Sequence, residues 1–337
     1  YSRQILFGEI GNEGQQRLAE SLVVVLGCGA LGTVQAEALC RAGVGRLRIV
    51  DRDLVEESNL QRQTLFTEED ARSVMPKAVA AQRRLGQINS EVRVEAFVAD
   101  VNAKNIESLV QGATCILDAT DNFETRFLIN DTAIKHRIPW VYGAAVGSYG
   151  VSMTVLPQET PCLRCVLEKL PAPGSSPTCD TAGVLSPIVN VVASVQVAEA
   201  LKILSGNTQR INRRMLCFDV WENSYRQIEI ANVMDQRDCP CCQLRRFEFL
   251  DGVGSSVATT LCGRDSVQIS VRDGSGLNLR DLAQRLKAVG KVQINDFRLR
   301  FTVDQFEIAV FPDGRGIVRG TQDAQVARSL YAKYVGV

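Results

Sequence analysis

At 337 residues and 45% hydrophobic, the chain is long enough for one large domain and a smaller one, each with its own apolar core. Its 38 basic residues balance 38 acidic ones, so no net field draws it to nucleic acid or to an anionic membrane, and neither is expected as a partner. No apolar run approaches spanning length and no signal peptide is visible. Eleven cysteines, an odd number, point to metal binding or thiol chemistry in a cytoplasmic enzyme rather than to a disulfide framework. The chain begins at Tyr1 rather than Met, and a few residues are expected ahead of it.

In chain order, a short lead over 1–8 precedes a predicted helix over 12–20. A buried strand at 22–26 then runs into Gly27, Gly29 and Gly32, spaced G-x-G-x-x-G, and a helix over 30–41. The first glycine of such a turn makes the bend and the second admits a phosphate to backbone N–H groups. The third seats the helix against the sheet, its N-terminus facing the anion. A strand over 46–51 ends in Asp51, about 20 residues on, where such folds hold a ribose.

A polar loop over 52–67 follows, then a helix over 76–87, a strand over 92–98 and a helix over 102–109. A strand over 114–119, a helix over 123–136 and a strand over 140–144 complete the series. The alternation predicts a doubly wound, mostly parallel, Rossmann-like α/β sheet. Later strands at 149–156, 215–219 and 225–230 extend it, antiparallel, and an apolar helix spans 188–204. The segment 171–177 is rich in chain breakers. The first domain is expected to span 1–246. A linker over 247–260 opens the second, 247–337, a small α+β domain of β-α-β-β-β-α type with no recognisable chemistry.

The chemistry-bearing residues lie in the first part. Arg62, within the stretch from Asn59 to Gln63, and Lys77, after Pro76, are scattered cations for a triphosphate in a chain with no G-x-x-x-x-G-K-[ST] loop. Isolated Arg and Lys are more often solvated surface groups. Asp121 stands at the carboxyl edge of the sheet, either a Mg²⁺ ligand or the N-cap of the next helix.

Cys162 with Cys165, and Cys239 with Cys242, form two C-x-x-C knuckles that together make a closed tetrahedral Zn²⁺ site. Cys241 is able to replace a neighbour in it. Cys179 is a candidate nucleophile, although Asp180 beside it would raise its pKa and no His is near in sequence. Cys28, Cys40, Cys115 and Cys217 read as packing residues, and His136, the single histidine, as a helix-end group.

These motifs, in this order, resemble the ThiF/MoeB/HesA family, bacterial relatives of ubiquitin-activating enzymes, over residues 1 to about 244. The resemblance implies an adenylyltransferase that uses ATP and Mg²⁺ on the C-terminal glycine of a ubiquitin-like sulfur carrier ending in Gly-Gly. Pyrophosphate is released, and the carrier serves thiamine or molybdenum cofactor biosynthesis. By the same resemblance Asp51 holds the ribose, Gly29 the phosphate turn, and Arg62 and Lys77 the β- and γ-phosphates. Asp121 holds the magnesium, Asn59 and Gln63 form the polar shell, and Asp53 stands near the phosphates or metal. The family is homodimeric, with Arg3 matching the arginine that reaches the neighbouring subunit's ATP. A sulfurtransferase or cysteine desulfurase is a further implied partner. Cys179 matches the position of the family's nucleophilic or persulfide-linked cysteine, which leaves a thioester-forming activating enzyme as one alternative. An NAD-dependent dehydrogenase, sharing the glycine turn and Asp51, is the other, with a non-catalytic carrier-binding scaffold behind both.

Overall fold

The computed structural model describes residues 1–168, 182–234, 238–252, 258–261, 265–269, 277–287 and 290–335. They fall into two compact units, the first Tyr1–Pro177 with Gly183–Gly254, the second built on Ser255–Val337.

The first unit is built on eight strands: β1 Leu22–Leu26, β2 Arg46–Val50, β3 Arg93–Phe97, β4 Cys115–Asp118, β5 Trp140–Val146, β6 Tyr149–Val155, β7 Met215–Asp219 and β8 Ser224–Ile228. They stand in the order β3-β2-β1-β4-β5-β6-β7-β8. The first five run parallel and the last three are antiparallel additions. Every residue of β1 is buried, as expected of a central parallel strand covered on both faces. One face carries α1 Ser2–Ile5, α2 Gly11–Glu20, α3 Ala30–Ala42, α4 Glu68–Arg72 and α5 Lys77–Ile88, together with a long helix over Ser186–Ser205. Its core joins Val23, Val25, Leu47 and Ile49 to Leu39, Leu85 and Ala200. The opposite face is covered by α6 Ile106–Val110, α7 Phe123–His136 and α8 Leu163–Val166, with Phe127, Ile129 and Ile134 over Val24, Leu26 and Ile116.

Two glycines make the β1–α3 turn obligatory. Gly27 has φ +93°, and a Cβ there would sit 2.4 Å from the Ala119 carbonyl oxygen, while one on Gly32 would meet the Gly27 carbonyl oxygen at 2.1 Å. The Ser186–Ser205 helix, hereafter α9, contains among the described residues the one stretch long and apolar enough to cross a membrane. Ile188, Val192, Ala193 and Ala200 on it are fully buried, which makes it a core helix. Its buried Gln196 crosses the sheet edge to donate to the carbonyls of Asp118 and Val141. Gly143 admits it, since a Cβ there would lie 2.3 Å from the Gln196 amide.

The second unit contains β9 Ala258–Leu261, β10 Ser266–Ile269, α10 Leu279–Leu286, β11 Lys291–Ile294, β12 Leu299–Val303, β13 Phe306–Val310, β14 Gly316–Arg319 and α11 Ala324–Tyr334. Its sheet, β11-β12-β13-β14-β10-β9, is antiparallel throughout, and Phe301, Ile308, Val310 and Val318 meet Leu282 and Tyr331 in its core.

Several details depart from the sequence expectation. The lead contains the short helix α1, and the segment after the polar loop forms α4, closed by a capping box between Thr67 and Asp70. The expected linker ends in a strand: β9 pairs with β10 from Ala258 opposite Ile269 to Leu261 opposite Ser266, so the small unit is β-β-α-β-β-β-β-α. Phe249 and Leu250 are buried in the core of the first unit.

Candidate phosphate site and metal centre

The carboxyl ends of β1, β2 and β4 bring the glycine turn, Asp51 and Asp121 to one edge of the sheet. Asp51 is nine-tenths buried and accepts hydrogen bonds from the backbone N–H of Cys28, through Oδ2, and of Asp53, at 2.7 Å through Oδ1. It therefore pins the glycine turn to the end of β2. Burial pushes its carboxyl above the usual aspartate range, and Lys77 opposes that shift. Each carboxylate oxygen has a second lone pair, which leaves acceptor capacity for a hydroxyl.

Lys77 opens α5 and is only 5% exposed, so the surface reading of this residue does not hold. Its Nζ lies 2.9 Å from Asp53 Oδ2, and its backbone N–H donates to the Asp53 carbonyl. Burial alone would lower its pKa; Asp53 and then Asp51 outweigh it and hold Lys77 above the ordinary lysine range. Arg62 is half-buried, donates to the Ser58 carbonyl at 3.0 Å and has no carboxylate partner among the described residues. Asn59 and Gln63 are buried, and their side-chain carbonyl oxygens have no hydrogen-bond partner among the described residues. Buried acceptors of this kind suit the hydroxyl or amino donors of a nucleotide. At Gly29, the N-cap of α3, an added Cβ would meet only Gln63 Nε2, at 3.9 Å.

The N-cap of α7 is Asn122, whose side chain accepts from the Thr125 N–H at 2.8 Å. Asp121 is therefore not needed as the cap. It is exposed, and its charge acts on both Lys77 and Arg52. Arg3 stands elsewhere. Its neighbour Gln4 donates to the Ala42 carbonyl at the far end of α3. That is about 20 Å from Gly29 along a helix of 13 residues. Cys179 lies outside the described residues.

On the opposite face, the Sγ atoms of Cys162, Cys165, Cys239 and Cys242 all lie within 4.8 Å of one another. The separations are 3.8 Å from Cys162 to Cys165, 3.7 Å from Cys162 to Cys239 and 3.4 Å from Cys165 to Cys242. A tetrahedron of thiolates on ~2.3 Å zinc–sulfur bonds has edges of about 3.8 Å, so the cluster is of the size and donor type that Zn²⁺ takes. Cys241 has a different role: its sulfur receives the Asn130 side-chain amide at 3.2 Å and bonds to Asp131. Asn130 also accepts the Leu163 N–H, and Asp131 the Phe249 N–H, each at 2.8 Å. Both knuckles and the segment after them are thus tied to α7.

The sequence reading passed over Arg52, Asp100, Asn130, Asp131 and Gln196. Arg52 at least stands inside the Asp51–Asp53 motif, whereas Asp100 has no local signal at all.

The ThiF family matches residues 1–241, which is more than half of the chain. The chain belongs to the ThiF family. It is 47% identical over 337 residues to the sulfur carrier protein ThiS adenylyltransferase of Bacillus subtilis, covering 100% of this chain and 99% of that one. It is also 39% identical to the SAMP-activating enzyme E1 of Haloferax volcanii, over 72% of this chain and 87% of that protein. Among solved structures, E. coli MccB with ATP has a TM-score of 0.60 at 20% identity, covering 71% of this chain and 75% of that one, which establishes a shared fold. The Haloferax match leaves more than a quarter of this ThiF-family chain uncovered, whereas the Bacillus relative matches along its full length, through the second unit.

Proposed function

We propose that the chain adenylates the C-terminal glycine of a small ubiquitin-like sulfur-carrier protein, of the ThiS or MoaD kind, in thiamine or molybdenum cofactor biosynthesis. The observation that carries this reading is the convergence of Asp51, Asp53, Lys77 and Asp121 beside a phosphate-type glycine turn. The chain that holds them matches a ThiS adenylyltransferase end to end.

In the reaction, a carboxylate oxygen of the carrier attacks the α-phosphorus of ATP and the bond to the β-phosphate oxygen breaks, giving an acyl-adenylate and pyrophosphate. Little covalent work falls to the protein, so positioning and electrostatics dominate. The N-terminus of α3 at Gly29 faces the phosphates, and Asp51 receives the ribose. Arg62 and Lys77 meet the charge that gathers on the departing pyrophosphate. Asn59 and Gln63 offer their side-chain oxygens to the nucleotide, and Asp121 would hold Mg²⁺, which would neutralise phosphate charge. Zn²⁺ on the four thiols closes the knuckles and leaves no ligand position open, so its role is structural.

The active form is a homodimer in the cytoplasm. Arg3 serves the site of the second copy, a role supported by its neighbour Gln4 sitting at the end of α3 opposite the glycine turn. A sulfurtransferase or cysteine desulfurase then supplies sulfur to the activated carrier.

The test is ATP–pyrophosphate exchange with a carrier ending in Gly-Gly, followed by mass spectrometry of the carrier. An AMP adduct on the C-terminal glycine is the expected product. Protection of the protein by NAD and not by ATP–Mg²⁺ would point to the dehydrogenase instead.

A further inference from the structure

Arg52 lies between Asp51 and Asp53, on the loop that leaves β2. Its Nη1 bonds to Asp100 Oδ1 at 2.7 Å, and its Nε is 3.7 Å from Asp53 Oδ1. The other oxygen of Asp53 holds Lys77 Nζ at 2.9 Å. A single line of charge therefore runs Asp100, Arg52, Asp53, Lys77 across the carboxyl edges of β3 and β2 to the start of α5. Asp121 acts on both cations of this line, and Asp51 on Lys77.

We propose that Arg52, anchored by Asp100, is a positioning residue of the nucleotide site, sharing the charge of Asp53 so that Lys77 remains available to the phosphates. This rests on the adenylation reading. Asp53 is shared between Arg52 and Lys77, and Asp121 acts on both of these cations. Without Arg52, Asp53 and Asp121 lose a counter-charge that both act on, so Asp53 binds Lys77 harder and the site becomes more negative. Both effects oppose the binding of a tetra-anionic nucleotide and leave the bond-making groups in place. The reacting atoms need not touch Arg52 for this to matter. Outer partners of this sort carry about 10- to 100-fold effects where they orient direct ligands.

The experiment compares wild type with Arg52→Gln, Arg52→Lys and Asp100→Asn in ATP–pyrophosphate exchange, with carrier saturating and ATP–Mg²⁺ varied. The expected result is a KM for ATP–Mg²⁺ raised about tenfold in Arg52→Gln, with kcat changed far less. Arg52→Lys recovers part of the loss, and Asp100→Asn moves KM in the same direction by a smaller factor. A merely structural role would lower the melting temperature of these variants and leave KM where it was. A KM within twofold of wild type in Arg52→Gln overturns the inference. So does an Arg52→Lys protein no better than Arg52→Gln, and so does an Asp100→Asn protein with unchanged KM, a measurement that stands even if Arg52→Gln does not fold. Absence of exchange in the wild type would instead sink the adenylation reading itself, so the two failures are separable.

Discussion

Single residues set the reaction's geometry. Gly27 holds φ +93° with a neighbouring carbonyl oxygen 2.4 Å from where its Cβ would be, so Gly27→Ala must move β1 or the Ala119 loop. The expected cost is about 3 kcal/mol or more in unfolding free energy, read by urea denaturation at constant m-value. Asp121→Ala and Arg62→Ala make the opposite kind of change. Asp121 is exposed with Asn122 doing the capping, and Arg62 is half-buried with a single backbone contact, so neither removal disturbs the core. Both variants should keep wild-type thermal stability and zinc content while losing adenylation. Normal exchange rates in both would refute the roles given to them. Lys77 shows how burial overturns the surface reading that an isolated lysine ordinarily invites, since the sequence carries no record of the aspartates folded around it.

At the level of elements, the strand–turn–helix around Gly27 was legible because every part of it is local: five apolar residues, three glycines at fixed spacing and a helix that follows at once. The same holds for the knuckles, where two short spacings announce four thiols. What escaped was non-local or short. Strand β9 is four residues held by its ladder to β10, in a stretch with no clear alternation, and Asp100 meets Arg52 across 48 positions of chain. The residues Asn130 and Asp131 on α7 look like ordinary polar helix positions until Cys241, Leu163 and Phe249 are seen bonded to them. This clamp makes a prediction about the metal. The protein should carry about one zinc per chain, four thiolates being a full shell. Cys239→Ala should lose most of that zinc and melt at a lower temperature. Metal analysis finding no zinc in wild type would remove the centre.

For the whole molecule, the parallel half of the sheet builds the nucleotide edge, while the antiparallel half and the knuckles enlarge the same unit. The second unit has its own core around Phe301, and the Bacillus relative shares it along the full chain, although no chemistry-bearing cluster was recognised there in the sequence. The proposed dimer is testable through the site that Arg3 would complete on a second copy. Arg3→Ala and Asp121→Ala proteins should each be inactive alone. Mixed under conditions that allow subunits to exchange, they should recover about a quarter of the wild-type rate, because half the dimers then carry one intact site. No recovery, with exchange shown by mass-tagged subunits, would place Arg3 outside the reaction.

The most direct test of the central claim is the intact mass of a Gly-Gly-terminated ubiquitin-like carrier after incubation with this protein, ATP and Mg²⁺. Adenylation at the terminal carboxylate predicts a carrier heavier by one AMP, appearing with pyrophosphate and absent with Asp121→Ala. A carrier of unchanged mass across ThiS-like and MoaD-like substrates, from a protein that binds ATP, would contradict it.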